Sequence, residues 1–287
     1  MNNQSSLYWA PPFNWDVIYQ LPGGTSREVL QKANDLCVSG DIEQFRELLD
    51  SAPSFSENFN IDDFGRTMTK AIETDNVPVI KELLDRNFPR HSYYARHATR
   101  FKSKNALALW IERGWDINEP MSHSEPPVLG LAIQDEEMTT WFLDHGADPN
   151  KRTLTDVTPL SWAVKWAPIS IIRLMLDRCE SVQQGQLLHY AVERQSDTIE
   201  VLEMLLEKGA PLNTPMREDL ATYSMLCFMS LGTALHRAAE LGNVEVVRYL
   251  LSKGADQSVE DSNGLTAIVL ARRLHYSRVV EVLEKGE

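Results

Sequence analysis

Residues Gly232–Asp256 read GTALHRAAELGNVEVVRYLLSKGAD, and this stretch decides the fold. It contains two short segments with apolar residues at helical spacing, a Gly-Asn pair between them that favours a turn, and a glycine after the second segment. The same pattern begins again at Gly264–Ala271, where Thr266 matches Thr233. Self-similarity at a fixed period, here about 33 residues, indicates that the chain repeats a unit of helix, turn and helix.

The motif Thr-x-Leu-His-x-Ala stands at Thr233–Ala238. Together with a period of about 33 residues, this motif is typical of ankyrin repeats, and the chain resembles the ankyrin-repeat family. The resemblance implies an all-α fold, an ankyrin-repeat solenoid of about eight helix-turn-helix units with short hairpin-like loops. A chain of 287 residues has room for that number of repeats.

Weaker copies of the pattern occur along most of the chain, and we expect the repeat array to cover residues 26–287. In such an array each helix pair buries its apolar face only by stacking on its neighbours. The repeat-like segments are 26–49, 65–84, 91–118, 127–150, 158–176, 188–210, 232–256 and 264–283.

Two segments do not fit the repeat. Residues 1–25 form an aromatic and proline-rich N-terminal arm, which is either a cap on the first repeat or a segment that lies along a binding groove or a partner. An insert at about 214–230 lengthens one loop and is rich in Met, Leu, Phe and Tyr. Insertions in repeat proteins map to loops, so the insert is either a flap over its own repeats or a lid that contacts a ligand.

Composition narrows the class of protein. The formal net charge of −13 argues against a nucleic-acid partner, because phosphates are met by Lys and Arg. The N-terminus lacks the features of a secretory signal, and no apolar run approaches the roughly 20 residues of a membrane span. We therefore expect a cytoplasmic protein without a membrane association, with the nucleus as the alternative location. Three cysteines without metal-ligand spacing predict a reducing compartment and no metal site: Cys37, Cys179 and Cys227.

The chain carries none of the familiar catalytic or phosphate-binding motifs, and we expect no cofactor. His91 and His97 are six positions apart, which places them on different sides of a helix and argues against a shared metal. A basic and aromatic cluster surrounds them and is either a solvated helix face with core aromatics or a site for an acidic peptide or carboxylate. Its members are Tyr93, Tyr94, Arg96, Arg100, Phe101 and Lys102.

The resemblance also implies where a partner binds, since ankyrin arrays use their hairpin tips and the inner faces of their first helices. Two tryptophans, a tyrosine and two arginines at these positions match the composition of interface hot spots. Trp162 and Tyr190 fit half-buried packing positions as well, whereas Trp166 is the better candidate for exposure. The candidate binding residues are Trp162, Lys165, Trp166, Tyr190, Glu193, Arg194, Met229, Arg237, Glu240 and Leu241.

The function favoured by these observations is an intracellular binding module, an adaptor or regulator that grips a protein or peptide on its concave face. The alternative is a small-molecule enzyme or binder whose pocket is closed by the N-terminal arm and the insert. In that case Asp135 or Glu193 would act as a base, and Arg194 or Arg237 would stabilise an anion. The motif histidines His189 and His236 have a structural role in the family, which is to tie loops together.

Overall fold

The computed structural model describes residues 24–56, 58–216 and 231–286. Most of the N-terminal arm and most of the insert, including Met229, lie outside these residues. In the described part of the chain the regular structure consists of sixteen α-helices and one 3-10 turn, with no strand. The helices form eight consecutive pairs, as the sequence predicts. The division into an arm and one array stays a prediction.

The chain divides into two compact units, residues Met1–Trp115 and residues Asp116–Glu287. Unit 1 contains a 3-10 turn at Ile61–Phe64 and three helix pairs. The helices are α1 (Arg27–Ser39), α2 (Ile42–Phe55), α3 (Gly65–Glu73), α4 (Val77–Asp85), α5 (Ser92–Phe101) and α6 (Lys104–Glu112).

Unit 2 contains five helix pairs and all the candidate binding residues that the structure describes. Its helices are α7 (Leu129–Ala132), α8 (Glu136–Asp144), α9 (Pro159–Trp166), α10 (Ile169–Asp177), α11 (Leu187–Val192), α12 (Thr198–Glu207), α13 (Ala234–Glu240), α14 (Val244–Ser252), α15 (Ala267–Arg273) and α16 (Ser277–Lys285).

Helices of successive pairs stack in the same order within each unit. The first helix of a pair contacts its own second helix and the first helix of the next pair, as α9 contacts α10 and α11. The first helices of unit 2 therefore form one continuous row, α7, α9, α11, α13 and α15. The contact between α11 and α13 is kept although the insert lies between them in the sequence.

Apolar side chains of the second helices fill the space between neighbouring pairs. Val201, Leu202 and Leu205 on α12 are fully buried because their spacing places them on one side of the helix. Each such side chain stabilises the fold by about 1.5–3 kcal/mol relative to an exposed one. The packing of neighbours, and not the propensity of these short helices, therefore holds the stack together.

The motif threonines start the first helices. Thr158 Oγ1 accepts a hydrogen bond from the Ser161 backbone N–H at 3.0 Å, and Ser161 Oγ accepts one from the Thr158 N–H at 3.0 Å. This reciprocal pair satisfies backbone donors that a helix start leaves unbonded. The threonine at this position of the repeat therefore caps its first helix.

The motif histidines link one repeat to the next. His189 Nε2 lies 2.9 Å from the Gly232 carbonyl, and His236 Nε2 lies 3.0 Å from the Leu265 carbonyl. Both carbonyls belong to the loop that enters the following repeat, so each buried imidazole ties two loops together. The structural role expected for these histidines is confirmed.

Candidate functional site

The row of first helices places the candidate residues at equivalent positions of successive repeats. Trp162 on α9 and Trp166 one turn later meet edge to face, with ring centroids 5.7 Å apart. Trp162 also covers Gly130, where a Cβ atom would lie 3.1 Å from its ring. The two tryptophans are half-buried and form a fixed aromatic shelf, a type of surface that gives large contact area at low entropic cost.

Tyr190 and Lys165 lie beside this shelf. The Tyr190 side chain is only 8 % exposed, so it acts mainly as a packing residue. The Lys165 ammonium lies 5.0 Å from the centroid of the Trp166 ring and 5.6 Å from that of Tyr190. These distances permit cation–π attraction, which holds the lysine against both rings.

Four charged residues form a chain of ion pairs across α9, α11 and α13, here called the charge ladder: Lys165, Glu193, Arg237 and Glu240. Lys165 Nζ donates to Glu193 Oε2. Arg237 Nε donates to Glu193 Oε1 at 2.8 Å, and Arg237 Nη1 donates to Glu240 Oε2 at 3.1 Å. The ladder therefore connects three successive repeats through side chains.

Glu193 is the centre of the ladder, and its side chain is 17 % exposed. Burial by itself would raise the pKa of Glu193, but the hydrogen bond and charge of Lys165 and the charge of Arg237 outweigh it, so the pKa lies below its usual value. A carboxylate with a lowered pKa is a weak base. The geometry therefore does not favour Glu193 as a general base.

Arg194 is predicted from the sequence to be a binding residue, but in the structure it makes a contact within the fold. Its guanidinium donates to the Val164 carbonyl at 2.6 Å and to the Ala167 carbonyl at 3.2 Å, at the end of α9. Ala167 is followed by Pro168, which has no N–H. Pro168 therefore cannot donate the helical hydrogen bond to the Val164 carbonyl, four residues earlier. Arg194 thus replaces the missing backbone donor, and its groups are directed into the repeat.

Asp135 also has a structural contact. It is the N-cap of α8, and its Oδ1 accepts from the Met138 backbone N–H at 2.9 Å. One cavity of about 170 Å³ lies among the loops near Arg152 and Gln186. None of the four residues named for acid–base chemistry lines it: Asp135, Glu193, Arg194 and Arg237.

Leu241 follows α13 and is 44 % exposed, as expected of a contact residue. Its equivalent in the next repeat, Leu274, is 47 % exposed, and Tyr276 is 39 % exposed. Neither Leu274 nor Tyr276 is among the binding residues predicted from the sequence. The repeat period contained the signal, since it maps Leu274 onto Leu241.

The basic and aromatic cluster of unit 1 lies on α5. Here Tyr94 is buried, and His97 lies between Tyr93 and Phe101 with ring centroids 5.8 and 4.7 Å away. His97 Nε2 is 3.4 Å from Glu73 Oε1 on α3, and burial lowers the pKa of His97 despite this carboxylate. This part of the cluster therefore matches the packing interpretation.

Comparisons with known proteins agree with this architecture. A family model described as ankyrin repeats, in three copies, matches residues 95–216 and 219–287, more than half of the chain. The chain belongs to the ankyrin-repeat family. Ankyrin repeats generally mediate protein–protein interactions, which confirms the broad prediction of a protein partner. Within the described residues there is no cluster of three metal-ligating side chains and no helix that could span a membrane.

Several curated proteins align with this ankyrin-repeat chain. A putative palmitoyltransferase of Danio rerio is 25 % identical over 217 residues, 65 % of this chain and 33 % of its own length. A putative ankyrin repeat protein of Rickettsia felis is 23 % identical over 164 residues, 48 % of this chain and 40 % of its own length. A putative ankyrin repeat-containing protein of Treponema pallidum is 37 % identical over 108 residues, 36 % of this chain and 32 % of its own length. The match thus spans 32–40 % of these relatives.

Proposed function

We propose that the row of first helices in unit 2 is the surface on which this protein grips a protein partner, as an adaptor or regulator. The observation that supports this proposal is the aromatic shelf of Trp162 and Trp166, which lies beside a charge ladder that crosses three repeats. Large rigid aromatic side chains dominate binding energy at many interfaces. Their fixed positions reduce the entropy that is lost when a partner binds.

The charge ladder defines what such a partner meets. Both oxygens of Glu193 already accept hydrogen bonds, one from Lys165 and one from Arg237. A partner can therefore cover the ladder without leaving a buried charge unpaired, which would cost several kcal/mol. Affinity then comes mainly from the aromatic shelf, while the ladder fixes the orientation of the partner.

A location of the protein in the cytoplasm or the nucleus fits this proposal. Cys37 and Cys179 are both unpaired thiols, and burial raises the pKa of Cys37 to about 11, which keeps that thiol unreactive. A reducing compartment maintains unpaired thiols.

Affinity purification from the native cell tests the proposal. The bait proteins are the wild type, Trp166→Ala, and Trp141→Ala as the matched control. Trp141 stacks on His145 at a centroid distance of 3.9 Å on α8, a second helix outside the proposed surface. We expect the wild type and the control to recover the same partners, and Trp166→Ala to lose them while it keeps a similar melting temperature. Recovery of the same partners by Trp166→Ala would show that this surface is not the binding site.

A further inference from the structure

The last two repeats expose an apolar strip that consists of Leu241, Leu274 and Tyr276, with exposed fractions of 44 %, 47 % and 39 %. The exposure of Leu241 is not due to a missing neighbouring repeat. The helix that precedes Leu241, α13, contacts both α11 and α15, so its repeat has a neighbour on each side. The exposure of Leu241 therefore belongs to the row of first helices.

The three side chains of the strip lie next to one another. A Cβ atom at Gly242 would be 2.9 Å from two atoms of the Tyr276 ring, so this ring covers the backbone that follows Leu241. Leu274 occupies the position equivalent to Leu241 on the neighbouring helix, and packed helices lie roughly 8–10 Å apart. The strip is thus one continuous surface with two aliphatic positions and one aromatic position.

Two arginines lie close to the strip in the sequence and differ from the other arginines nearby: Arg273 directly precedes Leu274, and Arg278 stands two positions after Tyr276. Arg237 is paired within the charge ladder, and Arg272 pairs with Glu284 at 2.7 Å. Arg273 and Arg278 are exposed, and neither has an ion-pair partner among the described residues. In a chain with a net charge of −13, these two guanidiniums are exposed positive charges that stand close in sequence to exposed apolar side chains.

We propose that the strip, together with Arg273 and Arg278, binds an acidic and apolar peptide segment of a protein partner. One apolar side chain of the segment covers Leu241 and Tyr276, and a second covers Leu274. The carboxylates of the segment bind the two guanidiniums. Arg binds carboxylates in a bidentate manner with charge-assisted hydrogen bonds, so the charges select an acidic segment and the apolar contacts supply affinity. This inference rests on the proposed protein-binding function and adds the chemistry of the partner and a second contact region.

Peptide display tests the inference. A random library of twelve-residue peptides is selected for binding to the immobilised full chain. We expect the enriched sequences to combine Asp or Glu with Leu, Ile, Phe or Trp. A synthetic copy of the most enriched peptide, followed by fluorescence polarisation, should bind Leu274→Ala and Arg273→Glu roughly tenfold more weakly than the wild type. Leu241→Ala is the replacement variant if Leu274→Ala does not fold.

Two matched variants control for lost apolar area and changed charge. Leu154 is 54 % exposed in a loop, so Leu154→Ala removes a similar side chain elsewhere. Arg248 is exposed on α14, so Arg248→Glu changes the net charge equally. Both controls should bind the peptide with the affinity of the wild type.

Several results would overturn the inference. The selection could enrich no peptide, or it could enrich basic peptides. The enriched peptide could bind Leu274→Ala as tightly as it binds the wild type. Sedimentation experiments could also show that the chain self-associates and that Leu274→Ala abolishes this association. The last result would identify a second copy of the chain as the occupant. A peptide lost by Trp166→Ala and retained by Leu274→Ala would leave the proposed function standing and refute only this inference.

Discussion

Arg237 Nε and Nη2 both lie 2.8 Å from Glu193 Oε1 and join residues 44 positions apart in the sequence. The repeats that carry them are separated by the insert, yet α11 and α13 stay in contact. The guanidinium also pairs with Glu240 at 3.1 Å, so it is held from two sides. A polar connection along the row of first helices thus supplements the apolar packing between these two repeats.

Replacing Glu193 by Gln should destabilise unit 2 by about 1–2 kcal/mol at pH 7, because it leaves two partly buried cations without their carboxylate. The pKa of Glu193 is lowered in the fold, so its contribution to stability is present above its unfolded value of about 4.3 and is lost as the pH falls through the folded pKa. Urea unfolding of the wild type and Glu193→Gln from pH 7 to pH 3 should therefore show a difference that shrinks below about pH 4.5. Glu200→Gln, which removes an exposed pair with Arg173, is the control and should change stability little. A difference that does not depend on pH would contradict the ladder.

Replacing Arg194 by Ala should cost about 1–3 kcal/mol, because the carbonyls of Val164 and Ala167 lose their donor at the Pro168 turn. Arg194→Lys should restore only part of this stability, since an ammonium cannot reproduce the fork of the guanidinium. Denaturant unfolding measures both variants, with Arg173→Ala on the exposed face as the comparison. If Arg194→Ala is as stable as Arg173→Ala, the capping role is wrong.

His236 should titrate below its ordinary pKa of about 6.5. Burial lowers the pKa of His236 more than the Leu265 carbonyl raises it. The Thr233 N–H donates to Nδ1 at 3.1 Å, so protonation of Nδ1 would break that bond. Because the folded pKa is lowered, stability is present above about pH 6.5 and is lost as the pH falls through the folded value. A site-resolved NMR titration measures the midpoint, and assignment with His236→Gln separates it from His97, whose pKa is also lowered. A midpoint above 6.5 would contradict the arrangement.

The contact of Tyr276 with Gly242 can be isolated by comparing two glycines. Both Gly242→Ala and Gly254→Ala place an alanine at positive φ, 65° and 91°, which costs about 1–2 kcal/mol. Only at Gly242 would the new Cβ collide with a ring, since nothing lies within 4 Å of the Cβ position at Gly254. We expect Gly242→Ala to be the less stable variant in thermal unfolding and to increase the exposure of Tyr276, measured by fluorescence quenching. Equal melting temperatures would show that the ring moves away without cost.

The sequence predicts the repeat and its internal chemistry because these depend on local patterns. The motif identifies the imidazoles of His189 and His236 as links between loops, and the structure confirms this role. The register names Leu241 as a contact residue. Its equivalent Leu274 is absent from the predicted residues, although the same period would have identified it.

The partners of charged side chains could not be predicted in this way. Arg194 and Glu193 are adjacent in the sequence, and the sequence names both as binding residues. The structure directs one guanidinium to the end of α9 and places the carboxylate between Lys165 and Arg237. Which neighbour a long flexible side chain meets depends on distances between repeats, and these distances have no local signal.

The sequence by itself determined that this chain is built from stacked helix pairs, because the capping and turn residues that recur with the repeat period act within one repeat. Only the tertiary structure decided that the charges along the row of first helices pair with one another across α9, α11 and α13, and that the Tyr276 ring lies against the backbone at Gly242. The physical reason is that charge pairing and burial depend on three-dimensional proximity between repeats, whereas helix formation depends on neighbours along the chain.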